Sequence, residues 1–96
     1  MLPDYFEFSL PTKLVYGAGI LDSIAEAAAR FGQKKALLVT DEILVKAGPV
    51  DKVKDGFKKT DINISAVFDQ VPPNSTIQTV ADCAALGKKK KCDMII

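Results

Sequence analysis

Apolar positions in this chain come in short runs whose period changes from segment to segment. Phe6-Glu7-Phe8-Ser9-Leu10 alternates strictly, which predicts a half-exposed strand. Lys13-Leu14-Val15-Tyr16 predicts a second short strand, with Pro11 marking an edge or bend between the two. Gly17-Ala18-Gly19 then lets the backbone turn. From Ile20 to Phe31 the period lengthens. Ile20, Ile24, Ala28 and Phe31 fall at helical spacing, Asp22 and Arg30 suit the two ends of the helix dipole, and Gly32 comes next as a C-terminal cap.

The next stretch, Lys34-Lys35-Ala36-Leu37-Leu38-Val39-Thr40-Asp41, organises the rest. Its four consecutive apolar residues are too few for a free-standing helix and predict a strand over 35–40, buried on both faces. Glu42 to Lys46 predicts a helical turn closed by Gly48. Pro49 opens a surface helix whose apolar face is Val50, Val53 and Phe57. Ile62, Ile64, Ala66 and Phe68 alternate as a strand ending at Asp69. Val71-Pro72-Pro73-Asn74 is a stiff loop. Ser75 and Gln78 are spaced as a capping box for a helix carrying Ile77, Val80, Ala81 and Ala84, with Gly87 and Lys88–Lys91 at its end. Cys92 to Ile96 begins one more apolar strand.

Strands alternating with helices predict an α/β fold: a partial Rossmann-like nucleotide-binding domain, its parallel sheet flanked by helices, with an N-terminal strand pair. The 96 residues amount to one domain at most, and a chain that stops on an apolar strand predicts a fragment of a longer protein.

Charge narrows the choice of partner. A net charge of +1 gives no long-range field that would demand nucleic acid or membrane. No run approaches the roughly 18–20 apolar residues of a membrane span. Met1-Leu2-Pro3-Asp4-Tyr5 has no basic start or apolar core of a signal peptide, so a cytosolic address is expected. Lys88–Lys91 lacks interleaved aromatics and suits a solvated helix end better than a nucleic-acid platform. Cys83 and Cys92 form no C-x-x-C pair and read as small apolar thiols. The absence of histidine matters more. It removes a His base, a Ser-His or Cys-His pair and any imidazole metal ligand from this stretch.

Candidate chemistry gathers at strand carboxyl ends, where open α/β sheets bind ligands. Thr40 and Asp41 stand at such an end. Asp41 is suited to accept hydrogen bonds from the two ribose hydroxyls of an adenosine, and equally suited to cap the next helix. Asn74 can bond a ligand through its amide or satisfy its own loop. Gly17-Ala18-Gly19 is not a dinucleotide fingerprint, because Asp22 stands where the third glycine belongs.

Three segments taken in order, Leu10-Pro11-Thr12-Lys13-Leu14-Val15-Tyr16-Gly17-Ala18-Gly19, Lys34 to Asp41, and Pro73-Asn74-Ser75-Thr76, with the closing Cys92 to Ile96, resemble the amino-terminal part of the iron-containing alcohol dehydrogenases. The resemblance covers essentially the whole chain. It implies an N-terminal NAD(P)-binding domain, incomplete over residues 1–96. The family's all-helical domain, which holds iron or zinc through one Asp and three His, lies outside the chain. It further implies hydride transfer between NAD and a primary alcohol or aldehyde in the full-length protein, with Asp41 favouring NAD over NADP and Asn74 lining the cofactor site. A glycine-rich loop cradling the pyrophosphate would come after Ile96. The 96 residues alone are then expected to be inactive, and a homo-oligomer is in keeping with the family. Ser75 and Pro72 depart from the family pattern and bear on the loop around Asn74. A flavodoxin-like α/β module that binds a protein partner is the alternative from another class.

Overall fold

A computed structural model describes residues 4–96; Met1 to Pro3, part of the amino terminus considered above for a leader, lie outside the described residues. A parallel three-stranded sheet is its centre. The strands are β1 (Lys35–Val39), β2 (Asn63–Phe68) and β3 (Met94–Ile95), in the spatial order β2-β1-β3. β1, the most apolar run, takes the middle. Ala36, Leu37 and Leu38 are all buried, as a strand covered on both faces requires. Ala36 pairs with Ile64 and Leu37 with Ala66, so a bulge at Ser65 shifts the register.

One face carries the core. Successive strand residues point to opposite sides, so Ala36 and Leu38 face together. They pack with Ala25 and Ala28 of α1 (Ile24–Ala29) and with Val50, Val53 and Phe57 of a further helix. That helix, α3 (Pro49–Phe57), presents its apolar residues at i, i+3 and i+7, which places one stripe on the sheet. Phe57 is almost fully buried, and enclosing a side chain of this class is worth about 1.5–3 kcal/mol. A short α2 (Glu42–Ala47) precedes α3. Gly48, at φ 107°, ends α2 and starts α3 in a left-handed conformation that only glycine adopts without strain. Leu37 faces the other way, onto α4 (Ile77–Lys89). No helix among the described residues is long and apolar enough to cross a membrane.

Four expectations are corrected. Among the described residues, the N-terminal strand pair is absent. Phe6–Leu10 and Lys13–Tyr16 carry no ladder, and Phe8, Leu14 and Tyr16 are 82%, 91% and 98% exposed. A two-stranded ribbon interrupted by Pro11 has too little to bury to stand alone. The helix expected over Ile20–Phe31 divides into a 3₁₀ turn, Ile20–Ser23, and α1. The Ser23 hydroxyl bonds the Ile20 carbonyl at 2.9 Å there, offering the backbone a local partner. The capping box is not made either. Thr76 is the N-cap, its hydroxyl accepting the Thr79 N–H at 3.1 Å, while Gln78 donates to Asp82 one turn on. Gly87 lies inside α4 rather than ending it. The chain turns afterwards at Lys91, with φ 55°.

Candidate functional site

The three strands deliver their carboxyl ends to one edge, and backbone hydrogen bonds hold the segments leaving them side by side. The Val39 N–H donates to the Ile96 carbonyl and the Thr40 N–H to the Phe68 carbonyl, both at 2.8 Å. The Val71 N–H donates to the Thr40 carbonyl at 3.4 Å, and Asp41 bridges Gln70 in antiparallel fashion. Helices α2 and α3 lead from β1 out to β2, and α4 leads back past β1 to β3. The direction of crossing therefore reverses between β1 and β3. Such a reversal opens the crevice in which α/β sheets bind their ligands.

Asp41 stands at this point in extended conformation, with φ −119° and ψ 169°. Its Oδ1 accepts the Leu44 N–H at 2.8 Å and caps α2. The capping role that the sequence left open is thus real, and it occupies one carboxylate oxygen. Oδ2 takes no hydrogen bond from the described residues. Thr40 is half-buried beside it. Its backbone is fully engaged, while its hydroxyl makes only a 3.5 Å contact with the Asp41 carbonyl.

Asp41 lines an open groove of about 630 Å³ whose wall also includes Glu42, Asp69, Gln70, Pro72 and Pro73. The Gln70 side-chain amide donates to Asp69 Oδ1 at 2.7 Å and to Glu42 Oε1 at 3.1 Å. One amide group thereby ties the end of β2 to the start of α2. Among the described residues, the wall holds three carboxylates and no Lys or Arg. Such a groove favours hydroxyl donors and disfavours phosphate.

Thr40 and Asp41 are brought together at the sheet edge. Asn74 is not brought to them: it is exposed beyond Pro73 and is not part of the groove wall. Reasoning from sequence missed Glu42, Asp69 and Gln70. Asp69 gave a signal, because it ends a strand as Asp41 does. Glu42 was hidden as an ordinary first-turn acid. Among the described residues, no group of three or more His, Cys, Asp or Glu is placed to hold a metal ion. The described part of this chain does not fit an iron or zinc site.

Known proteins share this sequence pattern and fold. The family model described as iron-containing alcohol dehydrogenase matches residues 11–96. Choline dehydrogenase of Bacillus subtilis is 34% identical over 92 residues, a match covering 96% of this chain and 23% of that protein. The 1,3-propanediol dehydrogenase of Klebsiella pneumoniae is 34% identical over 93 residues, covering 95% and 24% respectively. The crystal structure of NADH-dependent butanol dehydrogenase A from Thermotoga maritima superposes with a TM-score of 0.85 at 30% identity, over 95% of this chain and 23% of that one. The chain thus spans about a quarter of the length of the curated relatives it matches.

Proposed function

This chain belongs to the iron-containing alcohol dehydrogenase family, and from that premise we propose that it forms the adenosine-side half of an NAD site. The whole protein then moves hydride between NAD and a primary alcohol or aldehyde. One observation carries the reading: Asp41, at the crossing reversal of the sheet, spends one oxygen on the α2 cap, keeps the other without a hydrogen bond among the described residues, and lines a groove whose described wall has no basic side chain.

In this reading Asp41 accepts the ribose hydroxyls and disfavours the 2′-phosphate of NADP. Thr40 sets the Asp41 backbone at the end of β1 and offers its own hydroxyl. Asn74 belongs to the outer rim, reached by a cofactor larger than the groove itself. The NADH dependence of the butanol dehydrogenase supports the choice of NAD. When bound, the iron or zinc of the family would polarise the substrate oxygen. Its ligands, the substrate contacts and the pyrophosphate contacts fall outside residues 1–96, so the 96 residues alone are predicted to bind NAD without turning it over. The exposed aromatic stretch from Phe6 to Tyr16 supports association with a second copy or with other parts of the protein. Both cysteines are free, which fits a reducing, cytosolic setting.

The test is a thermal melt of the chain with NAD+ or NADP+ at millimolar concentration, for the wild type and Asp41→Asn. Asparagine caps a helix about as well as aspartate, so this variant removes the charge and spares α2. A rise in melting temperature with NAD+ that is smaller with NADP+ and lost in the variant supports the reading. A cooperative melt indifferent to both nucleotides overturns it and favours the partner-binding alternative.

A further inference from the structure

Gln70 and Glu42 carry an inference that rests on the adenosine-site reading and refines it. Glu42 is an exposed first-turn residue of α2, and nothing about the helix requires its side chain to lie along the groove. An unrestrained exposed carboxylate would spread over solvent rotamers and be screened. Here it is restrained: the Gln70 amide, itself anchored on Asp69 at 2.7 Å, donates to Glu42 Oε1 at 3.1 Å. The same Gln70 is bridged to the Asp41 backbone. Two of the wall's three carboxylates, Asp69 and Glu42, which would repel one another, are thus held together through a single two-handed donor.

We infer that Glu42 is a second cofactor-discriminating residue, held beside Asp41 by Gln70 as a positioning residue, and that it acts specifically against nucleotides bearing a 2′-phosphate. Asp41 is suited both to accept ribose hydroxyls and to repel phosphate. Gln70 engages Glu42 Oε1, and with the ribose hydroxyls assigned to Asp41 what Glu42 adds is its charge. The two residues therefore differ in signature. Loss of the Asp41 charge weakens NAD+ as well as relaxing the selection, whereas loss of the Glu42 charge strengthens NADP+ and leaves NAD+ where it was.

The experiment is an amide NMR titration of the chain with NAD+ and with NADP+, for the wild type, Glu42→Gln, Gln70→Leu and Asp61→Asn. Glutamine at 42 keeps an amide oxygen to accept from Gln70, so the groove is conserved and only the charge is lost. Asp61 is 89% exposed and paired with Lys34 next to the amino-terminal end of β2, so Asp61→Asn controls for net charge. Glu42→Gln is expected to tighten NADP+ by about tenfold, the scale of one charge acting on a phosphate dianion through water at contact range, with NAD+ unchanged within about twofold. Gln70→Leu moves NADP+ the same way by less, Asp61→Asn moves neither, and the Glu42 effect shrinks as salt is raised. If the wild type binds NAD+ and Glu42→Gln changes NADP+ no more than Asp61→Asn does, this inference fails and the adenosine site stands. If the wild type binds neither nucleotide, the site itself is refuted, and the role of Glu42 with it.

Discussion

Gly87 packs so closely on Leu37 that a Cβ built on it would stand 3.2 Å from Leu37 Cδ2. This contact lets α4 lie against the middle strand of the sheet, and it accounts for a buried glycine inside a thirteen-residue helix. Glycine there costs the helix about 1 kcal/mol relative to alanine.

Two substitutions at Gly87 separate those effects. Leu37 borders open grooves beside α4, so its side-chain end has room to yield by a few tenths of an ångström. Gly87→Ala is therefore expected to fall within about 0.5 kcal/mol of the wild type, the helix gain offsetting the displacement. Gly87→Val adds two further carbons against the strand and is expected to lose about 1–3 kcal/mol. Urea denaturation of both variants checks the ordering; a valine variant as stable as alanine would refute the close contact.

Gly87 also shows where the sequence stopped being informative. A glycine followed by four lysines has the local marks of a helix end, and only the packing of α4 on Leu37 explains why the helix continues to Lys89. The middle strand, α3 and the parallel order were legible because burial on two faces, or on one stripe, leaves a period in the residues themselves. The N-terminal segment misled for the opposite reason. Phe6, Phe8 and Leu10 alternate as a strand should, yet alternation says nothing about whether a partner strand exists. At the site, Asp41 was legible from its position at a strand end. Its tie to Leu44 was legible as a local cap, whereas the Gln70 clamp depends on loops meeting across 28 residues of chain, which no local pattern records.

The cap at Asp41 gives a stability prediction independent of any nucleotide. Asp41→Ala removes the acceptor of the Leu44 N–H and should cost about 1 kcal/mol, while Asp41→Asn should cost a few tenths at most. Chemical denaturation without cofactor checks this. Equal losses in the two variants would mean that charge, and not the cap, is what α2 needs.

Asp93 plays a similar part at the other edge of the sheet. Its Oδ1 accepts the Lys35 N–H at 2.8 Å, and both of its oxygens lie within 3.4 Å of the Lys34 nitrogen, fastening the start of β3 to the start of β1. Because β3 is only two residues long, this side-chain tie is a large share of what holds it. Asp93→Ala is expected to cost about 1.5–3 kcal/mol, the range of hydrogen bonds to a charged group. Hydrogen exchange at Ile96, whose N–H donates to the Leu37 carbonyl, should accelerate in the variant, while exchange at Thr40, which pairs with β2, should stay unchanged. Uniform acceleration at both amides would show that Asp93 supports the whole fold and not the β3 edge.

Lys58 bears on the alkaline limit of stability. Its ammonium meets Asp55 Oδ1 at 2.7 Å one turn back, and that hydrogen bond, with the attraction of the carboxylate, raises the lysine above its usual pKa. A lysine whose folded pKa is raised binds its proton more tightly folded than unfolded. Its contribution is fully present below the unfolded pKa and is lost as pH climbs through the folded one. Both side chains are largely exposed, so the pair is screened and its effect is small. Comparing the wild type with Lys58→Gln, the difference in melting temperature should be constant from neutral pH to about pH 9, and should close as pH rises past the usual lysine range near 10.4. It should also narrow with added salt at neutral pH. A difference that instead widens at alkaline pH would show that Lys58 is held by something other than its charge, and would remove Asp55 as the cause.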